Sequence, residues 1–288
     1  MTSYETTQVS VRGDHCTLHW WRPDESVVDG PILMFLHGIG AHTGFHGNDL
    51  AEPLTEAGFT VFAPDLPGFG ATPTLPLEGY ATSVIVDWLT GVLDEAGVDR
   101  VIPVGHSWGG YLAVQLAAHV PERVPAIALM DGGHLDPPTV DFDSAMATAT
   151  AIDAEYTFES MERLVTEERA FFSRWSDALD KAYKDSMVLA DGRFVMRQRP
   201  EVAAAIRVAM GQTPVTTRHE LMGERSQRML VFLPGNPERY ARDTELAALT
   251  NRAPVEVVWM PDCSHFLPQD AGPAIGRRIA SWVRAGGK

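Results

Sequence analysis

Hydrophobic positions along the chain fall into two patterns that alternate. Pro31-Ile32-Leu33-Met34-Phe35-Leu36, Thr60-Val61-Phe62-Ala63, Val101-Ile102-Pro103-Val104 and Ala126-Ile127-Ala128-Leu129-Met130 are short unbroken apolar runs. Such runs fit strands covered on both faces. Between them the spacing predicts helices at about 48–57 and 80–96, stopped by Gly58 and Gly97, and another in the Ala- and Leu-rich stretch after Gly109. Residues 7–11 and 15–21 alternate around Arg12-Gly13-Asp14 and predict two further strands. Near the end the pattern returns, with strands at 229–233 and 255–260 and helices from Pro237 to about Leu249 and over 271–284. There is no internal repeat and no low-complexity segment.

Strands alternating with helices demand a mostly parallel sheet with helices on both faces. Ligands in such sheets sit beyond the carboxyl ends of the strands. His37, Asp65, Ser107 and Asp131 each follow a predicted strand at once, so they converge on one rim.

From Leu135 to about Gly223 the apolar strands disappear. Helices are expected at 144–154, 159–180 and 200–210, with Asp191-Gly192-Arg193-Phe194 as a turn between helices. The division is then an α/β core of residues 1–134 and 224–288 with a helical cap of residues 135–223 lying over the rim as a lid. Met146, Tyr156, Phe171, Phe172 and Trp175 either line a cavity beneath this cap or form its own core, the second being favoured for most of them.

Composition narrows the classes. At 288 residues, 45% hydrophobic and 21% charged, the chain suits one large soluble domain with an insertion. A net charge of −15 repels phosphate backbones and anionic lipid, arguing against nucleic-acid and membrane-surface partners. Two distant cysteines, Cys16 and Cys263, suggest a reducing compartment and no disulfide framework. With no basic, apolar N-terminal leader and no run of membrane-spanning length, a cytoplasmic location is expected.

The chemistry centres on Gly105-His106-Ser107-Trp108-Gly109, set between a strand and a helix. Small residues on both sides of so sharp a turn leave room for the backbone and raise the middle side chain into a cleft, the Gly-x-Ser-x-Gly nucleophile elbow. Ser107 needs a base. Of ten histidines, His265 follows the last strand and precedes the terminal helix, which puts it on the same rim. His37 reads as a structural loop residue, and His106 as packing beneath the elbow. The backbone N–H groups of Trp108 and of Ile39, in His37-Gly38-Ile39-Gly40, are the candidate oxyanion donors. The orienting acid is either Asp131, at the end of the preceding core strand, or Glu238, after strand 229–233. Asp131 is preferred, because Asn236-Pro237-Glu238 already makes an ordinary helix start. No histidine or cysteine spacing suits a metal.

With His37-Gly38-Ile39-Gly40, Asp65-Leu66-Pro67-Gly68-Phe69-Gly70, Gly105-His106-Ser107-Trp108-Gly109 and Ser264-His265-Phe266 in this order, nearly the whole chain resembles the α/β-hydrolase superfamily. The resemblance implies an eight-stranded, mostly parallel sheet, a helical cap and a Ser–His–acid triad working without a cofactor. Serine at position 107 is unlike the haloalkane dehalogenases and epoxide hydrolases, which use aspartate there. Gly235-Asn236-Pro237-Glu238 departs from the Gly-x-x-Asp usual in the family, and some relatives take their acid after the earlier strand, consistent with Asp131. The expected activity is hydrolysis of a small, hydrophobic carboxylic ester or lactone. An acyltransferase or cofactor-free perhydrolase using the same triad, or a non-catalytic ligand-binding protein, are the alternatives. The sequence leaves the oligomeric state open.

Overall fold

The computed structural model describes residues 3–24, 30–172, 174–235, 249–250 and 254–286. Eight strands form one sheet among these residues: β1 (Ser3–Val11), β2 (Asp14–Arg22), β3 (Ile32–Leu36), β4 (Val61–Pro64), β5 (Val101–His106), β6 (Ala126–Met130), β9 (Arg228–Pro234) and β10 (Val255–Met260). Their spatial order is β1-β2-β4-β3-β5-β6-β9-β10. The β1–β2 and β2–β4 pairings are antiparallel and the others parallel. The chain runs outward from β3 to β4 and then crosses back to β5. The order therefore reverses between β3 and β5, where a crevice opens at the strand ends.

The unbroken apolar runs have a direct cause. Met34 and Leu36 face one core layer, with helices α2 (Thr82–Glu95) and α3 (Trp108–His119), through Trp88, Leu89, Leu112 and Leu116. Leu33 and Phe35 face the other layer, against α1 (Thr43–Glu56) and the terminal helix α9 (Leu267–Ala285), through Leu50, Leu54, Ile275 and Ile279. Successive strand side chains point to opposite faces, and here both faces are dry.

Between β6 and β9 the chain builds an insertion of α4 (Phe142–Glu155), α5 (Met161–Phe171), α6 (Asp177–Asp185), β7 (Met187–Ala190), β8 (Arg193–Met196), α7 (Pro200–Gln212) and α8 (Thr216–Glu224). Phe158, Leu164, Phe172, Leu179 and Met187 form its own small core. Asp136 fastens its two ends, accepting from the Val215 and Thr216 N–H groups at 2.7 and 2.9 Å and from the Thr216 hydroxyl.

Several local expectations need correction. Asp191-Gly192 is the tip of a β-hairpin, with Met187 paired to Met196 and Ala190 to Arg193. Both tip residues have positive φ (48° and 76°), the geometry an Asp-Gly hairpin turn requires. The expected helix 159–180 is two helices, because the Ser176 side chain accepts from the Leu179 N–H and opens α6 anew. Helix α1 begins at Thr43 rather than near 48, capped by the His42 side chain, and α8 was not anticipated. The closing helix begins at Leu267 and is kinked at Ala271. The helix expected from Pro237 falls almost wholly outside the described residues. No helix among the described residues is long and apolar enough to cross a membrane.

Candidate active site

Ser107 stands between β5 and α3 with φ 53° and ψ −116°, a conformation glycine, lacking a Cβ, would adopt more readily than serine. The surroundings over-determine it. Its N–H donates to the Met130 carbonyl at 3.0 Å, and its carbonyl accepts from Tyr111 at 3.1 Å. A Cβ on Gly109 would overlap the Leu36 carbonyl, and one on Gly132 would overlap the Ser107 backbone. Glycine at these two points is therefore a matter of close approach between chains. The two glycines after Asp131 let the end of β6 pass directly behind the elbow.

Asp131 itself is held at φ 44° by a bond from its N–H to the Phe232 carbonyl at 3.0 Å. His265 Nδ1 donates to Asp131 Oδ2 at 2.7 Å. Burial opposes ionisation of Asp131, but the hydrogen bond and charge of His265 outweigh it and hold the carboxyl below its ordinary range. The His265 backbone is fixed from beneath: its carbonyl accepts from His106 Nε2 at 2.8 Å, and the two rings lie 4.9 Å apart. Ser107 and His265 line one cavity, of about 470 Å³, whose other walls include Ile39, Met196, Met210 and Phe266. Phe266 also packs on Phe172 of the insertion at 5.8 Å, tying the histidine loop to it.

The remaining predicted positions fall as follows. Ile39 lines the cavity, and a Cβ on the neighbouring Gly38 would stand 3.1 Å from Ser107 Cβ, so this loop runs beside the serine. Trp108 opens α3, where a backbone N–H lacks a carbonyl one turn earlier, and its ring is buried 5.6 Å from Phe69. Glu238 lies outside the described residues. Of the five candidate cavity-lining side chains, Tyr156 reaches the cavity, Phe172 is buried in the insertion's core, and Phe171 is exposed. Among the described residues no group of three or more histidines, cysteines or acids could hold a metal.

Below the rim lies a buried polar layer. His37 Nε2 accepts from the Leu66 N–H at 3.0 Å, so its proton sits on Nδ1, bonded to the Gly38 carbonyl at 2.9 Å. Asp65 accepts from Thr43 and Ala71 N–H groups at 3.2 and 3.0 Å and faces His19 Nε2 at 3.2 Å. Asp65 thereby pins the loops after β3 and β4 together. Burial lowers His37 from 6.5 to about 4 and His106 from 6.5 to about 3. Both are neutral when folded but take up protons near pH 6.5 once unfolded. The unfolded state then binds more protons between about pH 4 and 6.5, so stability rises with pH across that window. Urea unfolding midpoints should fall steadily from pH 7 to pH 4.5. The His37→Asn variant, whatever its absolute stability, should show a shallower slope, and an unchanged slope would contradict the assignment.

A family model for the alpha/beta hydrolase fold matches residues 31–182, more than half of the chain, and the protein belongs to that family. It is 25% identical over 269 residues to a haloalkane dehalogenase of Mycolicibacterium paratuberculosis, covering 91% of this chain and 86% of that protein. It is 34% identical over 128 residues to epoxide hydrolase 2 of Siraitia grosvenorii, covering 44% of this chain and 38% of that protein. Among solved structures it superimposes on a thioesterase domain from the curacin biosynthetic pathway with a TM-score of 0.74 at 17% identity, over 98% of this chain and 99% of that one. That superposition shows the same fold.

Two residues of the site carry little signal in the sequence. The role of His106 beneath His265 was legible only as "packing". Arg207, on α7, reaches the cavity and carried no sequence signal beyond its charge.

Proposed function

We propose that the protein is a serine hydrolase of carboxylic esters or lactones. The observation carrying this reading is the Asp131–His265 hydrogen bond of 2.7 Å opening onto the cavity that also holds the strained Ser107. An acid fixing the proton on Nδ1 leaves Nε2 of the same ring free to act as a base.

The chemistry follows from those positions. Ser107 Oγ attacks the carbonyl carbon as His265 Nε2 takes the hydroxyl proton. The oxyanion is held by the N–H groups of Ile39 and Trp108. Collapse breaks the ester bond, and the alcohol leaves with the proton from His265. Water, deprotonated by His265, then attacks the acyl-enzyme and releases the carboxylic acid, restoring Ser107. Asp131 stays ionised throughout and stabilises the imidazolium. Every step balances with these side chains and water. Lined mainly by apolar side chains, the cavity suits a hydrophobic acyl or ring portion.

The nucleophile differs from that of the haloalkane dehalogenases and epoxide hydrolases. Serine at 107 gives an acyl-enzyme on attack at a carbonyl, whereas aspartate in the dehalogenases and epoxide hydrolases opens carbon–halogen and epoxide bonds. A fluorophosphonate probe should label the wild-type protein on the peptide carrying Ser107, and p-nitrophenyl esters should be turned over. Absence of both would remove the reading. A second acyl acceptor outcompeting water would redirect it to acyl transfer or perhydrolysis.

A further inference from the structure

The cavity has a charge that the ester chemistry does not use. Arg207 lies in the middle of α7 and lines the same cavity as Ser107 and His265. Among the described residues its guanidinium makes one hydrogen bond, from Nη1 to the Ala203 carbonyl of its own helix at 3.3 Å. No described carboxylate comes within 4 Å of it. Arg123, Arg163 and Arg174 differ, each meeting a carboxylate at 2.6 Å.

The obvious internal partner is not paired with Arg207 among the described residues. Asp153 also lines the cavity, yet burial and the charge of Glu201 push its carboxyl above the ordinary range. Glu201 is six residues before Arg207, roughly 9 Å along the helix at 1.5 Å per residue. Among the described residues no ion pair or hydrogen bond joins Asp153 to the guanidinium. The cavity lining includes Met210 and Ala203 on the same helix and Ile152 from α4, with the polar side chains of Tyr156, Tyr183 and Gln198. Burial lowers the pKa of Arg207 from the ordinary value, with no opposing charge to offset it.

A half-buried cation without a counter-ion is costly in surroundings of low dielectric. It becomes favourable when a ligand brings the missing charge and fills the remaining donors. A guanidinium offers a planar fork matched to two carboxylate oxygens. A phosphate dianion fits less well, since a single guanidinium faces it. The geometry points to a substrate bearing a carboxylate in addition to its ester or lactone, with that carboxylate bound by Arg207. This rests on the serine-hydrolase reading above and makes Arg207 the residue that selects the substrate class.

The test compares two matched pairs of esters: mono-p-nitrophenyl adipate with p-nitrophenyl hexanoate, and 4-acetoxybenzoate with phenyl acetate. The first pair places the carboxylate on the acyl side and the second on the leaving group. In Arg207→Met, the ratio of kcat/KM for the anionic ester to that for the neutral one should fall about 10- to 100-fold in at least one pair, mostly through KM. Arg207→Lys should give an intermediate ratio. Equal losses on both members of both pairs would assign Arg207 a packing role and overturn the inference. Adipate binding, read by calorimetry against adipamide, supplies a readout independent of turnover. If the wild type hydrolyses none of the four esters, the ester reading fails. Arg207-dependent adipate binding would then still support a carboxylate site, and its absence would overturn that too.

Discussion

Replacing Ser107 by alanine should lower turnover of a p-nitrophenyl ester roughly 10⁴- to 10⁶-fold, the loss typical when the nucleophile of a triad is removed. Folding should be unaffected. Ser107 owes its φ of 53° to the Met130 and Tyr111 backbone bonds and the close passage of Gly132, none of which involves the hydroxyl. Alanine carries the same Cβ into the same conformation, so the strain of about 1–3 kcal/mol that such backbones store is retained rather than added. Melting temperature and circular dichroism should match the wild type. An alanine variant that keeps more than about 1% of wild-type turnover, a loss far short of that range, would end the assignment of Ser107 as nucleophile.

Asp131→Asn should cost about 10³- to 10⁴-fold in kcat, whereas Glu238→Gln should change it only slightly. His265 Nδ1 has a single proton to donate, and Asp131 Oδ2 receives it at 2.7 Å. An amide at 131 can present an N–H in place of an oxygen. That would favour the tautomer with the proton on Nε2, where it blocks acceptance from Ser107. Asp131 is also the carboxyl whose ionised form the site stabilises, despite burial. Loss of activity confined to Glu238→Gln would reverse the choice of acid. Measuring kcat for both variants on one ester, with KM alongside, separates misplaced proton transfer from impaired binding.

The two carboxylates show why the acid resisted sequence reasoning. Both follow core strands and both have ordinary local explanations, Asp131 as a turn residue and Glu238 as part of a helix start. Asp131 bonds to a side chain 134 positions away, and nothing in its local context encodes that distance. The β-hairpin at 187–196 is a different kind of miss. Its Asp191-Gly192 tip is a recognised hairpin signal, but the charged helices around it made a helical connector the simpler reading. The break between α5 and α6 followed from Ser176, a helix-capping residue inside what periodicity alone treated as one helix.

Periodicity and glycine placement were enough to give the core. Unbroken apolar runs of strand length imply burial on both faces, and alternation with helices leaves a parallel sheet as the arrangement that buries them. Gly-x-Ser-x-Gly between a strand and a helix fixed the position of Ser107, because steric limits at a sharp turn are local. That Asp131 meets His265, and that Arg207 faces the cavity, were decided only when β6, the His265 loop and α7 converged on the crevice. Hydrogen bonds and charge pairs depend on distances of a few ångströms between segments far apart in sequence, and those distances exist only once the chain is folded.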